Sequence, residues 1–374
     1  MQKTSNVQGQ DGGVLIHAGS DVTAVQHSFM AQAARLGLDQ AITVTHINDD
    51  LCFHLNDELA RDWTPECDTL QLCAKLNLYP KSSPPDLEKE IVVAMLASPL
   101  VFEYPGYEEF AAAVRIRCNI VEAARRTGLS FHTSKIERPE DYWTYTEDGG
   151  FTLLPGKPLI DALRMATQPA VSGQQYSFSC YRASEYVIVL GIAQELAVSN
   201  PALLAQLQKH WESRAIMSRQ FHDVFLREYG SMEAPLPPKY YVPGDRLWFR
   251  NPDENSSDVE GFEGSWVIYL GGGLFTNFWK CDKPYSMTEK CLEIYHWRDG
   301  VYRDGDGNLK MNEDIVDERV RATLKNPAEV ERILQRMLRM RDPGGVYAEG
   351  GCIDTSREYA RWVCPGSCDM VLPD

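Results

Sequence analysis

The sharpest chemical feature of the chain is Tyr176–Arg182, YSFSCYR, which runs directly into the apolar segment Tyr181–Leu196. A Ser/Gly/Gln-rich turn, Val171–Gln175, precedes it. The pattern predicts a helix start with Cys180 in its first turn. Unpartnered backbone N–H groups at such a position stabilise a thiolate and lower a thiol pKa from about 8.5. The same groups can donate to an oxyanion when the sulfur attacks an acyl carbon. Cys180 is therefore the candidate nucleophile of an acyl-transfer site. A free cysteine beside a core helix is also a common packing residue, so the motif alone leaves both roles open.

Elements must hold that sulfur in place. The Tyr186–Ile192 stretch is apolar nearly all round, which predicts a buried helix. Tyr107–Gly128 repeats Phe110, Val114, Cys118, Val121 and Ala124 at helical steps, with Gly128 as its stop. Val22–Leu36, Leu87–Ala97, Asp161–Thr167 and most of Pro201–Tyr229 read as further helices. Ala41–Ile47 is β-branched and reads as a strand. Tyr142–Leu154 brackets Glu147–Gly150 as a hairpin. Asp245–Phe249, Ser265–Leu270, Leu274–Trp279 and Leu292–Trp297 read as strands, and Val320–Arg341 as one amphipathic helix. Helices followed by an antiparallel meander make the class α+β. The expected divisions are a disordered start at 1–13, an N-terminal module at 14–86 and a main domain at 87–345. A tail follows at 346–374. The proline-rich Pro80–Asp86 reads as a linker.

Composition narrows the function. The chain has 374 residues, 44% hydrophobic and 24% charged, and its net charge is −16. That fits a folded protein of one or two domains. It argues against nucleic-acid partners and against an anionic membrane surface. No apolar leader or spanning stretch is read at the N-terminus or elsewhere, so a cytoplasmic location is expected. The ten cysteines lack CxxC spacing. They are expected to be mostly reduced, with Cys364 and Cys368 the closest pair. Asp304–Asn308 starts like a calcium loop, but Leu309 and Ile315 stand at its sixth and twelfth positions, so a hairpin turn is expected. Phosphate-binding glycine motifs are absent. Neither a metal nor a cofactor is called for.

From about Ile91 to Gly273 the chain resembles the bacterial transglutaminases known from Bacillus spore coats. These are calcium-independent protein-glutamine gamma-glutamyltransferases with an NlpC/P60-like, papain-related core. The resemblance rests on five passages in order. They are Val93–Phe102 with Arg115–Ala124, then Asp141–Leu153, Tyr176–Leu196, Pro243–Asp253 and Gly264–Phe275. It implies a two-step reaction on protein partners. A thiolate attacks a glutamine carboxamide, ammonia leaves, and a lysine amine resolves the thioester into an isopeptide. Cys180 falls on the family's nucleophile.

The resemblance also implies losses. The family's catalytic glutamate maps to Ser265 and its histidine to Phe278, while the glutamate before its cysteine maps to Ser179. General base catalysis is typically worth ~10²–10⁴-fold, so substitutes matter. Glu263 and His296 are the expected catalytic replacements, with Glu260 and His222 as further candidates. Trp266, Phe278 and Asn277 are the expected substrate-binding residues. The aromatics around them, Trp248, Phe262, Phe275 and Trp279, either form the core of the meander or wall a tunnel that excludes water.

Overall fold

The computed structural model describes residues 12–130, 137–342 and 350–373. The expected disorder at 1–13 falls mostly outside them. Gly12 and Gly13 are described and buried, and Gly13 N–H donates to the Ser98 carbonyl. The first part of the tail, 346–349, is likewise outside.

Among the described residues, the fold mixes helices with four sheets. Strands β1 (Val14–His17), β2 (Ile42–Ile47), β3 (Asp50–Leu55) and β4 (Phe102–Tyr104) form one sheet in the order β2-β3-β1-β4. Its pairs are antiparallel except β1 with β4. Strands β5 (Trp143–Thr146) and β6 (Gly150–Leu153) make the expected hairpin. The largest sheet takes β7 (Leu226–Tyr229), β8 (Arg246–Arg250), β9 (Gly264–Gly271), β10 (Leu274–Phe275) and β11 (Tyr285–Ser286). A small hairpin, β12 (Val301–Arg303) and β13 (Leu309–Met311), turns at Asp304. There the Asp304 carboxylate accepts the N–H groups of Asp306 and Asn308. The last strand, β14 (Arg357–Ala360), returns to the largest sheet, whose order is β11-β10-β9-β8-β14-β7.

Strand β9 sits inside this sheet and is covered on both faces. Side chains alternate along a strand, so Ile268 and Leu270 enter one core while Val267 and Tyr269 enter another. The first core holds the helices Tyr107–Arg126 and Cys180–Ser199. It also takes in Val14, Phe53, Leu87 and Met370, so it runs across the Pro80–Asp86 segment. The second core holds the helices Met287–Gly300 and Pro327–Met337.

Four expected elements differ, each for a local reason. Pro84 and Pro85 occupy the first turn of a helix to Leu96, where a missing N–H costs nothing, and Ser83 caps it. Only Leu274–Phe275 pairs as a strand in the Leu274–Trp279 stretch. Leu292–Trp297 lies in the helix Met287–Gly300. A capping box starts that helix, with Ser286 accepting the Glu289 N–H and Glu289 accepting the Ser286 N–H. The expected long helix from Val320 is two helices, Glu313–Thr323 and Pro327–Met337, separated by the Asn326 cap and Pro327. Among the described residues, no helix is long and apolar enough to cross a membrane.

Candidate active site

Cys180 opens the buried helix Cys180–Ser199, as its sequence predicts. Ser179 is the N-cap, and its Oγ accepts the Arg182 N–H at 3.3 Å. That cap fixes where the helix begins and so where the sulfur stands. The backbone N–H groups of Trp266, on β9, and of Tyr181 lie close enough to the sulfur to favour its anion. Even so, burial pushes the Cys180 thiol pKa up. The Trp266 N–H and the Lys290 charge pull it the other way without prevailing. The expected low-pKa thiolate is thus replaced by a neutral thiol at rest. A helix terminus carries only a partial charge, and desolvation of an anion outweighs it.

The sulfur lines a narrow cavity of about 70 Å³, room for only a few waters. Phe262, Trp279 and Trp297 give it apolar walls, and Ser265 and Asn277 also line it. The lining also carries charge: Lys290 and Glu293 from the helix after β11, Glu313 and Asp317 from the next helix, and Lys280, together with Tyr285 of β11. Lys290 is 3% exposed and pairs with Glu293 at 2.6 Å. Tyr285 Oη donates to the other Glu293 oxygen at 2.8 Å. Burial raises the pKa of the Glu313 carboxyl, and the nearby Glu293 and Asp317 add to the rise.

The residues singled out in the sequence are only partly gathered here. Ser265 and Asn277 line the cavity. Asn277 is already engaged, donating to the Lys283 carbonyl and accepting the Lys280 N–H. Trp266 contributes its backbone. Its ring stacks on Trp248 at 5.9 Å, meets Tyr181 edge-on and lies under the Arg246 guanidinium. Phe278 is buried in the first core, and its carbonyl accepts the Leu129 N–H. Glu263 is exposed beside the cavity and outside its wall. His296 is expected as a catalytic replacement on a strand. It is instead buried in a helix, with Nδ1 on Asp299 at 2.6 Å and Nε2 on Thr323 at 2.8 Å. Neither side chain therefore shares the cavity with the sulfur. Glu293 escapes the sequence reading because Leu292–Trp297 passes for a strand, and Tyr285 and Lys290 lie before it in a stretch with no assigned element. Two signals mark them: the Ser286–Glu289 capping box, and the lysine–glutamate spacing of three that puts both on one helix face.

His222 also lies outside the cavity, bound to Glu358 at 2.8 Å, and Glu358 in turn binds Arg246 Nε at 2.5 Å. The Glu358 contact raises the His222 pKa against the opposing effect of burial. A raised histidine stabilises the fold fully below its ordinary value near 6.5, and that contribution is lost as pH climbs through its folded value. His222→Ala is therefore expected to lower stability more at about pH 5.5 than at about pH 9 in urea unfolding. Equal losses at both would exclude the linkage.

Residues 70–358 match the family model "Protein-glutamine gamma-glutamyltransferase". The chain belongs to this family. Among relatives, the protein-glutamine gamma-glutamyltransferase of Bacillus licheniformis is 27% identical over 198 residues, covering 50% of this chain and 71% of that protein. Those of Halalkalibacterium halodurans and Bacillus cereus are 27% and 26% identical, with 62% and 64% of their lengths covered. Among solved structures, a transglutaminase from Geobacillus stearothermophilus (without C-terminal extension) aligns at a TM-score of 0.39 and 19% identity. That alignment covers 57% of this chain and 98% of the other. The matched family region takes in Cys180, the cavity and the first residues of β14, and it starts upstream of Pro80.

Proposed function

We propose that this chain transfers the acyl group of a protein glutamine to a lysine amine through a thioester on Cys180. The observation that carries the reading is a cysteine at a capped helix start whose sulfur lies near the Trp266 N–H and opens on a small cavity with both aromatic and charged lining. Donors that hold the sulfur's charge are also placed for an oxyanion one atom further out. A cavity this small leaves little water to compete with the amine for the thioester. We read residues 87–345 as a papain-like, NlpC/P60-like core with 14–86 as an extension. In this reading Ser265 and Phe278 stand where the family has its glutamate and histidine.

The test is incorporation of a labelled primary amine into a glutamine-rich acceptor protein under reducing conditions. Wild type is expected to incorporate label, and Cys180→Ala to fall to the uncatalysed background. Because the thiol sits above its usual pKa, the rate is expected to be still rising at about pH 9. A second reading, a non-catalytic protein that binds a partner, is favoured by that same raised thiol. Absence of incorporation by wild type across pH would exclude transfer to an amine and leave this second reading or a deamidase or amidase on the same scaffold.

A further inference from the structure

A thiol that is neutral at rest needs a proton acceptor before it can attack. Among the described residues, no histidine lines the Cys180 cavity. Of its charged groups, Lys280 and Asp317 form a half-exposed pair with each other. Lys290 and Glu293 lie deeper. The Lys290 ammonium is almost wholly buried, sits 4.3 Å over the Tyr285 ring and contacts Glu293 at 2.6 Å. Glu293 is held from its other side by Tyr285 Oη. Burying an ammonium is costly, and packing alone would be served better by leucine or methionine. A lysine kept there, in the same small cavity as a cysteine, calls for a reason beyond packing.

Building on the acyl-transfer reading of Cys180, we propose that the Lys290–Glu293 ion pair handles the proton and the charge of the reaction at the Cys180 sulfur. As the S–C bond to the glutamine carboxamide forms, the Sγ–H proton crosses the cavity to the Glu293 carboxylate. The Lys290 ammonium faces the sulfur while it carries negative charge. When the C–N bond breaks, Glu293 gives the proton to the departing nitrogen, which leaves as ammonia. In the second half the amine nitrogen bonds to the thioester carbon and loses a proton to Glu293. The C–S bond then breaks, and the proton returns to Cys180. Every proton that leaves one atom reaches another, with no outside co-reactant.

The test uses the full chain and two readouts. The first is the pH profile of iodoacetamide modification at Cys180, followed by mass spectrometry of its peptide, which needs no acyl substrate. The second is amine incorporation. Lys290→Met is expected to move the alkylation midpoint up by about one pH unit, roughly a tenfold slower reaction at fixed pH. Lys290→Arg keeps the charge and is expected to restore the wild-type profile. Glu293→Gln is expected to leave the thiol alkylatable while cutting amine incorporation by ~10²–10⁴-fold. If Lys290→Met does not fold, the Lys290→Met/Glu293→Leu double variant, which strands no charge, is read in its place. Superimposed profiles for wild type and the methionine variant, or undiminished incorporation by Glu293→Gln, overturn the proposal. A wild type that incorporates no amine overturns the acyl-transfer reading itself, and the proton route with it.

Discussion

Asp245→Ala is expected to destabilise the protein by about 3–5 kcal/mol, enough to unfold much of the population of a marginally stable domain. Asp245 is fully buried, and its Oδ1 meets Arg117 Nη1 at 2.7 Å. Its Oδ2 accepts the Val242 N–H at 2.8 Å and the Tyr229 hydroxyl. Arg117 is 3% exposed, lies between the rings of Phe102 and Tyr359, and also donates to the Pro243 carbonyl. Burial lowers the Arg117 pKa, and Asp245 more than reverses that. Removing the carboxylate leaves a charged guanidinium in a dry interior, and that orphan sets the size of the loss. The double variant Asp245→Ala/Arg117→Met removes both charges and is expected to recover much of it. Denaturant unfolding of the two variants decides the matter, and a single-variant loss under about 1 kcal/mol would refute this account.

Gly191→Ala is expected to cost about 2–3 kcal/mol even though alanine is the better helix former by about 1 kcal/mol. Gly191 lies where the Cys180 helix crosses Tyr107–Arg126. An added Cβ would stand 2.5 Å from Ile120 Cγ1, 2.9 Å from its backbone nitrogen and 3.1 Å from its Cα. A side chain can rotate away, but a helix backbone cannot, so the two helices have to separate. The same displacement shifts the helix that carries Cys180, so amine incorporation should fall along with stability. An alanine variant as stable as wild type would show that the crossing has slack.

The parts of the site that were legible in the sequence are those with strong local signals. Ser179 before an all-apolar run marks the Cys180 helix, and the short β-rich runs Asp245–Phe249 and Ser265–Leu270 mark β8 and β9. What the sequence hides is the charged part of the cavity lining. The Leu292–Trp297 run is rich in residues that suit either state, and its helix is settled by a cap six residues earlier. His296 looks available because its partners, Asp299 and Thr323, come from the next turn and from a different helix. The thiol's character also resists local reading. The helix start argues for an anion, and only the tertiary packing around Phe262, Trp279 and Trp297 shows that dehydration prevails.

The position of β14, between β8 and β7, fixes the timing of assembly. β14 fills a gap between two strands encoded far upstream of it. On the ribosome, β7 and β8 emerge long before their shared neighbour and must wait with open hydrogen-bonding edges, a state prone to sticking to other chains. β14 therefore joins the sheet well after β7 and β8 have been made, and a premature stop codon before Arg357 should yield an insoluble product.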